Sequence, residues 1–216
     1  MENKIGFEDG VDAATQGGHG KGWWFFKNEW AVKVTGNDHG DPIRLGSDGG
    51  WPAVNKTVFE HGVDAAAAAG HEEGWWFFKD QWTIKVDDGR VPLWGPGDIT
   101  AEGAWPNLKG SIFENGFDAV VRTGHEEGWW FFKGNQTARV VEGQPVVNVD
   151  ITSDHAWPML KGTVFAEKIE AACLGGHQGE WWFFNGNQTV KVKGDNIDQG
   201  PEFITATQAW PMLKGL

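Results

Sequence analysis

One ten-residue string dominates this chain. GHEEGWWFFK stands at 70–79 and again, unchanged, at 124–133, with looser copies GHGKGWWFFK at 18–27 and GHQGEWWFFN at 176–185. The histidines in these strings, His19, His71, His125 and His177, follow one another at intervals of 52, 54 and 52 residues. A Trp-Pro pair keeps nearly the same step at Trp51-Pro52, Trp105-Pro106, Trp157-Pro158 and Trp210-Pro211. A third landmark opens each unit: GVDAA at 10–14 and 62–66, GFDAV at 116–120 and IEAAC at 169–173. Three independent landmarks in one register make the chain four copies of one unit. The copies run over roughly 1–54, 55–108, 109–160 and 161–216, within a single domain spanning 1–216.

Each unit reads as strands. A short run rich in small residues is followed by the aromatic WWFFK, then by VKV, IKV or ARV after a tight turn such as KGNQ. Runs of this length separated by turn residues predict an antiparallel meander. The Trp-Pro segment suits a strand edge or the start of a short helix. A sheet of this size cannot bury both faces alone, but four in sequence can if each packs on its neighbours, as a linear solenoid or a closed ring of blades. A solenoid needs polar caps, and the first and last copies are no more polar than the middle ones. Closure fits better, so the expected fold is all-β, a four-bladed β-propeller.

The charge and cysteine content narrow the partners. The net charge is −12. An acidic chain without a Lys/Arg cluster repels phosphates, which argues against nucleic acid. No stretch approaches 18 apolar residues, so no membrane insertion is expected. The N-terminus MENKIGFEDG lacks an apolar signal core, which points to a cytoplasmic protein, with later release left open. The one cysteine, Cys173, precludes an internal disulfide, and beside small residues it reads as a packed side chain rather than a nucleophile. No catalytic motif of the serine-elbow, P-loop or dinucleotide type is present, so no enzyme is expected.

The unit resembles a hemopexin repeat. The residues that carry the likeness are FENGFDAVVRTGHEEGWWFFKGNQTARV at 113–140 and FEHGVDAAAAAGHEEGWWFFKDQWTIKV at 59–86, together with the Trp-Pro segments WPNLKG and WPAVNK. The likeness covers the whole chain and is nearest to four-bladed members of the pea albumin 2 type and to hemopexin-fold lectins of fungi. It implies a central channel lined by the innermost strands, often holding calcium or another cation. Asp12, Asp64, Asp118 and Glu170 fall at the matching acidic positions. Four inward carboxylates repel one another unless a cation or hydrogen-bond donors intervene. Their alternative task is to cap strand turns.

Side chains alternate faces along a strand. Trp23, Trp75, Trp129 and Trp181 therefore share a face with the first Phe of each FF pair, and the second Trp shares the other face with the second Phe. The second Trp and both Phe read as packing between blades. The first Trp stands where the hemopexin pattern usually has a polar or small residue, beside the Gly-His turn, and is expected to face solvent. An indole beside a histidine and acidic residues is the equipment for a sugar: the ring takes the apolar face of a pyranose and the polar groups take its hydroxyls. The expected contact set is His19, Trp23, His71, Glu72, Glu73, Trp75, His125, Glu126, Glu127, Trp129, His177 and Trp181. The histidines alternatively bond backbone across a blade gap.

The sequence thus predicts a multivalent lectin for glycans or glycoconjugates. The resemblance suggests the galactose or N-acetylgalactosamine class, and a homodimer is left open. The rival is a storage or stress protein of the seed-albumin kind that binds haem or a polyamine such as spermine. A protein-binding module is a third reading, because exposed Trp also marks protein interfaces.

Overall fold

A computed structural model describes residues 4–17, 22–69, 74–87, 90–124, 128–177 and 179–216. They form four antiparallel sheets arranged as the blades of a propeller. Blade 1 holds β1 (Ala13–Gln16), β2 (Trp23–Lys27) and β3 (Trp30–Thr35), and its outer edge is split into β4 (Asp38–His39) and β5 (Ile43–Arg44). Blade 2 is β6 (Ala65–Ala68), β7 (Trp75–Lys79), β8 (Trp82–Val86) and β9 (Trp94–Asp98). Blade 3 is β10 (Ala119–Arg122), β11 (Trp129–Lys133), β12 (Gln136–Val140) and β13 (Val149–Asp150). Blade 4 is β14 (Ala171–Leu174), β15 (Glu180–Asn185), β16 (Gln188–Lys193) and β17 (Asn196–Phe203). Each blade runs in sequence order from axis to rim, as a meander must.

The inner strands are short and built from small residues because four of them crowd round one axis, β1 beside β6 and β14, and β10 beside the same two. The second strands are aromatic because they carry most of the packing area to both sides. Their turns into the third strand have two residues. The first of each, Asn28, Asp80, Gly134 and Gly186, takes φ of 50, 50, 55 and 53°. Asn, Asp and Gly are the residue types that accept this left-handed geometry at least cost.

Four apolar clusters among the described residues each lie at a boundary between blades. Phe25 belongs to the cluster between blades 4 and 1, and Phe26 to the one between blades 1 and 2, as strand alternation requires. All eight FF phenylalanines are buried. The Trp-Pro segment is a one-turn 3-10 helix at Pro52–Val54, Pro106–Leu108, Pro158–Leu160 and Pro211–Leu213, with proline at the start where its missing N–H is not needed. The ring closes without a covalent link: Gly6 N–H donates to the Leu216 carbonyl at 2.8 Å, and Phe7 packs in one cluster with Ile204 and Trp210.

The fourth unit opens one residue earlier than its sequence suggests. Ala13 pairs with Phe26 and Ala171 with Phe184, so Lys168-Ile169-Glu170-Ala171-Ala172, not IEAAC, matches Gly10-Val11-Asp12-Ala13-Ala14. Lys168 thereby stands where the other three blades have glycine.

Candidate functional site

Two places gather the chemistry that the repeats multiply: the tryptophan corners between blades, and one mouth of the central channel. At each corner the Trp of Trp-Pro lies between two others. Trp51 contacts Trp24 of blade 1 and Trp75 of blade 2, Trp105 contacts Trp76 and Trp129, Trp157 contacts Trp130 and Trp181, and Trp210 contacts Trp182 and Trp23. The centroids are 4.9–5.8 Å apart and the planes cross at 61–89°. These edge-to-face contacts are each worth about 0.5–1.5 kcal/mol beyond the area they bury. Twelve of the 15 tryptophans are thus spent on clasping blade to blade.

The structure buries one of the four expected stacking indoles, Trp181, and leaves the other three partly open. The first indole of the string is a wedge: Trp23 Nε1 donates to the Leu174 carbonyl at 2.7 Å, Trp75 to Gln16 at 3.0 Å, and Trp181 to Arg122 at 3.0 Å, each across a blade boundary. Alternation within one strand defined the face but not the neighbour across it. Trp181 is buried, at 9 % exposure, while Trp23, Trp75 and Trp129 remain half-buried with part of the ring at the surface. His177 is exposed on the connection between β14 and β15. His19, His71, Glu72, Glu73, His125, Glu126 and Glu127 lie outside the described residues.

Between blades 2 and 3 the corner opens into a groove of about 890 Å³ lined by Trp105, Arg122, Trp129, Asn107 and Glu142, among others. The Arg122 guanidinium lies over the Trp129 ring at 5.5 Å, a cation–π contact. Trp105 Nε1 and Arg122 Nε are buried and have no hydrogen-bond partner among the described residues. Buried donors are nearly always paired, so each such group asks for an explanation, and a ligand is one. Asn107 Nδ2 donates to the Val141 carbonyl at 3.1 Å, fixing one wall of the groove. Arg122 was not foreseen; its one signal in the sequence is that the other inner strands end in Gln16, Ala68 and Leu174.

At the channel mouth the four acids do local work. Asp12 accepts from the Asn28 N–H at 2.6 Å, Asp64 from Asp80, Asp118 from Gly134 and Glu170 from Gly186, each at 2.7 Å. Each acid therefore caps the hairpin turn of its own blade, and all four line an open funnel of about 520 Å³. Lys27 lies 3.6 Å from Asp12, and Lys168 lies 3.5 Å from Asp118 and 3.3 Å from Glu170. Burial alone would lower the pKa of Lys168, but the two carboxylates outweigh it and hold the ammonium above its ordinary range. Among the described residues no group of three or more His, Cys, Asp or Glu side chains could hold a metal ion. With an ammonium already between two of them, these four carboxylates do not fit a shared divalent cation. At the other end of the channel the inner strands leave a cavity of about 10 Å³, room for about one water.

Among the described residues no helix is long and apolar enough to cross a membrane. No family model matches the chain. It is 29% identical to albumin-2 of Pisum sativum over 179 residues, which cover 77% of this chain and 76% of that one. The hemopexin fold protein CP4 from cow pea superimposes with a TM-score of 0.82 at 22% identity, over 95% of this chain and 97% of that one. A plant lectin with two metal-binding sites from Cicer arietinum gives the same figures: a TM-score of 0.82 at 22% identity, over 95% and 97%. At these identities the structural likeness is one of fold, and that fold is the four-bladed hemopexin propeller expected from the repeats.

Proposed function

We propose that this hemopexin-fold propeller, similar to the albumin-2 proteins of legumes, is a multivalent carbohydrate-binding protein. The observation that carries the reading is the groove between blades 2 and 3, where two buried N–H donors without partners among the described residues stand beside a half-buried indole. A buried donor left unpaired costs about 1–3 kcal/mol. A shift of the side chains that cover Trp105 Nε1 and Arg122 Nε would let a sugar hydroxyl or ring oxygen accept from them and relieve that cost. The exposed part of Trp129 offers an apolar surface to the C–H face of a pyranose, and Glu142 accepts from a further hydroxyl.

The indoles of Trp157 and Trp210 are likewise buried without a partner among the described residues, so the donor recurs at other blade boundaries. Repetition on one rigid ring converts weak single sites into avidity when the target presents several sugars. The likeness in fold to a plant lectin agrees in direction. Galactose and N-acetylgalactosamine are the sugars named first, on the hemopexin resemblance. No catalytic step is assigned to the chain.

Haemagglutination with sugar inhibition, together with a glycan array, tests the reading. Agglutination by the wild type, with a lower titre for an Arg122→Ala variant that melts like the wild type, supports it. A flat array without agglutination removes it. The rival reading, a seed-albumin-like protein that takes a polyamine, rests on the funnel: Asp12, Asp64, Asp80, Asp118 and Glu170 outnumber Lys27, Lys133 and Lys168 there. Calorimetry with spermine separates the two, because a polyamine that enters the funnel leaves the groove untouched.

A further inference from the structure

We propose that the channel mouth is partly neutralised from within the chain, the Lys168 ammonium serving as a built-in counter-ion between blades 3 and 4 where the carboxylates of Asp118 and Glu170 would otherwise need a bound cation. The inference does not depend on sugar binding.

It rests first on a paired departure from the fourfold pattern. In blades 1 to 3 the residue two before the acid is Gly10, Gly62 or Gly116, with φ of 142, 133 and 99°. A Cβ at these glycines would lie 3.0, 3.0 and 2.8 Å from the carbonyl oxygens of Gly186, Asn28 and Asp80, in the hairpin turns of the preceding blades. The same three blades end their second strand in lysine: Lys27, Lys79 and Lys133. In blade 2 the Lys79 ammonium lies 3.4 Å from where a Gly62 Cβ would stand, so the lysine covers the glycine. Blade 4 reverses both choices, with Lys168 for glycine and Asn185 for lysine.

The reversal keeps the backbone contacts and moves the charge. Lys133 Nζ donates to the Ile112 carbonyl at 2.9 Å. Asn185 Nδ2 makes the matching bond to Val164 at 2.9 Å and a second to the Lys168 carbonyl at 2.9 Å. The turn contact that lysine supplies in blade 3 is therefore met by a neutral side chain in blade 4. The ammonium is displaced to position 168, where it reaches two carboxylates of adjacent blades instead of one. Lys27, in the ordinary place, is paired with Asp12 of its own blade.

The relocation suits the electrostatics of a ring. Each acid needs its charge to cap its hairpin turn, and like charges facing one funnel raise one another's energy. A tethered ammonium relieves the repulsion without the concentration dependence of a bound ion.

The test compares thermal melts at low ionic strength in a chelator and in millimolar calcium, for the wild type, Lys168→Met and Lys168→Arg. Met keeps the aliphatic stem and removes the charge. Calcium is expected to raise the Lys168→Met midpoint by roughly 2–4 °C more than it raises that of the wild type. Lys168→Arg, with its charge restored, is expected to respond like the wild type. An equal calcium response in all three proteins overturns the proposal. So does a Lys168→Arg protein that behaves like Lys168→Met, since that result makes the role steric. If Lys168→Met fails to fold in chelator, recovery of its fold by calcium supports the proposal and failure to recover overturns it.

Discussion

The indole N–H of Trp75 donates to the carbonyl of Gln16, 3.0 Å away at the end of the preceding blade's inner strand. With Trp51 standing edge-on against it at 5.7 Å, Trp75 closes the boundary between blades 1 and 2. Replacing Trp75 with Phe keeps an apolar ring and removes the donor, leaving a part-buried carbonyl without its partner. The expected cost is about 1–2 kcal/mol. Trp51→Ala removes the buried middle member of the same trio and is expected to cost about 3–5 kcal/mol. Thermal melts of the two variants rank these effects, and a Trp51→Ala midpoint no lower than that of Trp75→Phe contradicts the clasp.

How much of this was legible follows from where each signal lies. The blades were readable because the repeat is local and strict: Trp-Pro, the aromatic string and the acid each recur in one register. The faces of Phe25 and Phe26 were readable because alternation is a property of a single strand. The wedging of Trp23 at a blade boundary was not, because its partners Trp210 and Leu174 come from the far end of the chain and meet it only once the ring closes. Asp12 could be read as a turn cap or as an ion ligand. The choice depended on a hairpin bringing Asn28 N–H to it, sixteen residues on. Lys168 was hidden by reading IEAAC as the opening of the fourth unit, one residue late, and the pairing of Ala171 with Phe184 fixes the register.

Two glycines of similar φ make a controlled pair. Gly22 has φ of 74°, and a Cβ there would fall 2.2 Å from the Val34 carbonyl oxygen on β3. Gly36 has φ of 61° with nothing within 4 Å. Gly36→Ala should cost only the left-handed conformation, about 1–2 kcal/mol. Gly22→Ala should cost that and a further ~1–3 kcal/mol for forcing β2 away from β3. Denaturant titration measures both, and equal costs would mean that the close approach at the start of β2 is not tight.

Cys173 is 1 % exposed at the inner edge of blade 4, and burial pushes its thiol well above the ordinary range. A thiolate is the reactive form, so the folded protein should resist alkylation at neutral pH and react once unfolded. Mass spectrometry after a short exposure to iodoacetamide, with and without denaturant, reads this directly. Rapid native labelling would show that blade 4 opens.

Blade 4 also carries a buried ion cluster. Glu180, 2 % exposed, occupies the place of Gly22, Gly74 and Gly128, and its carboxylate meets Lys191 at 2.9 Å and Lys193 at 3.2 Å. Burial alone would raise its pKa, but the hydrogen bonds and charges of the two lysines outweigh that and hold it below the ordinary 4.5. A carboxyl whose folded pKa is depressed binds its proton more readily when unfolded. Its contribution is therefore fully present above 4.5 and is lost as pH falls from there through the folded value. Unfolding free energies measured from neutral pH downward should fall more steeply below 4.5 for the wild type than for Glu180→Gln. The variant should also be the less stable of the two at neutral pH, because Lys191 and Lys193 then face a neutral amide. Lys191 keeps a second partner, Asp198, at 3.2 Å, so Lys191→Met should disturb both carboxylates and flatten the acid limb further than Lys193→Met. Parallel acid limbs for the wild type and Glu180→Gln would mean that the cluster contributes no pH dependence to the fold.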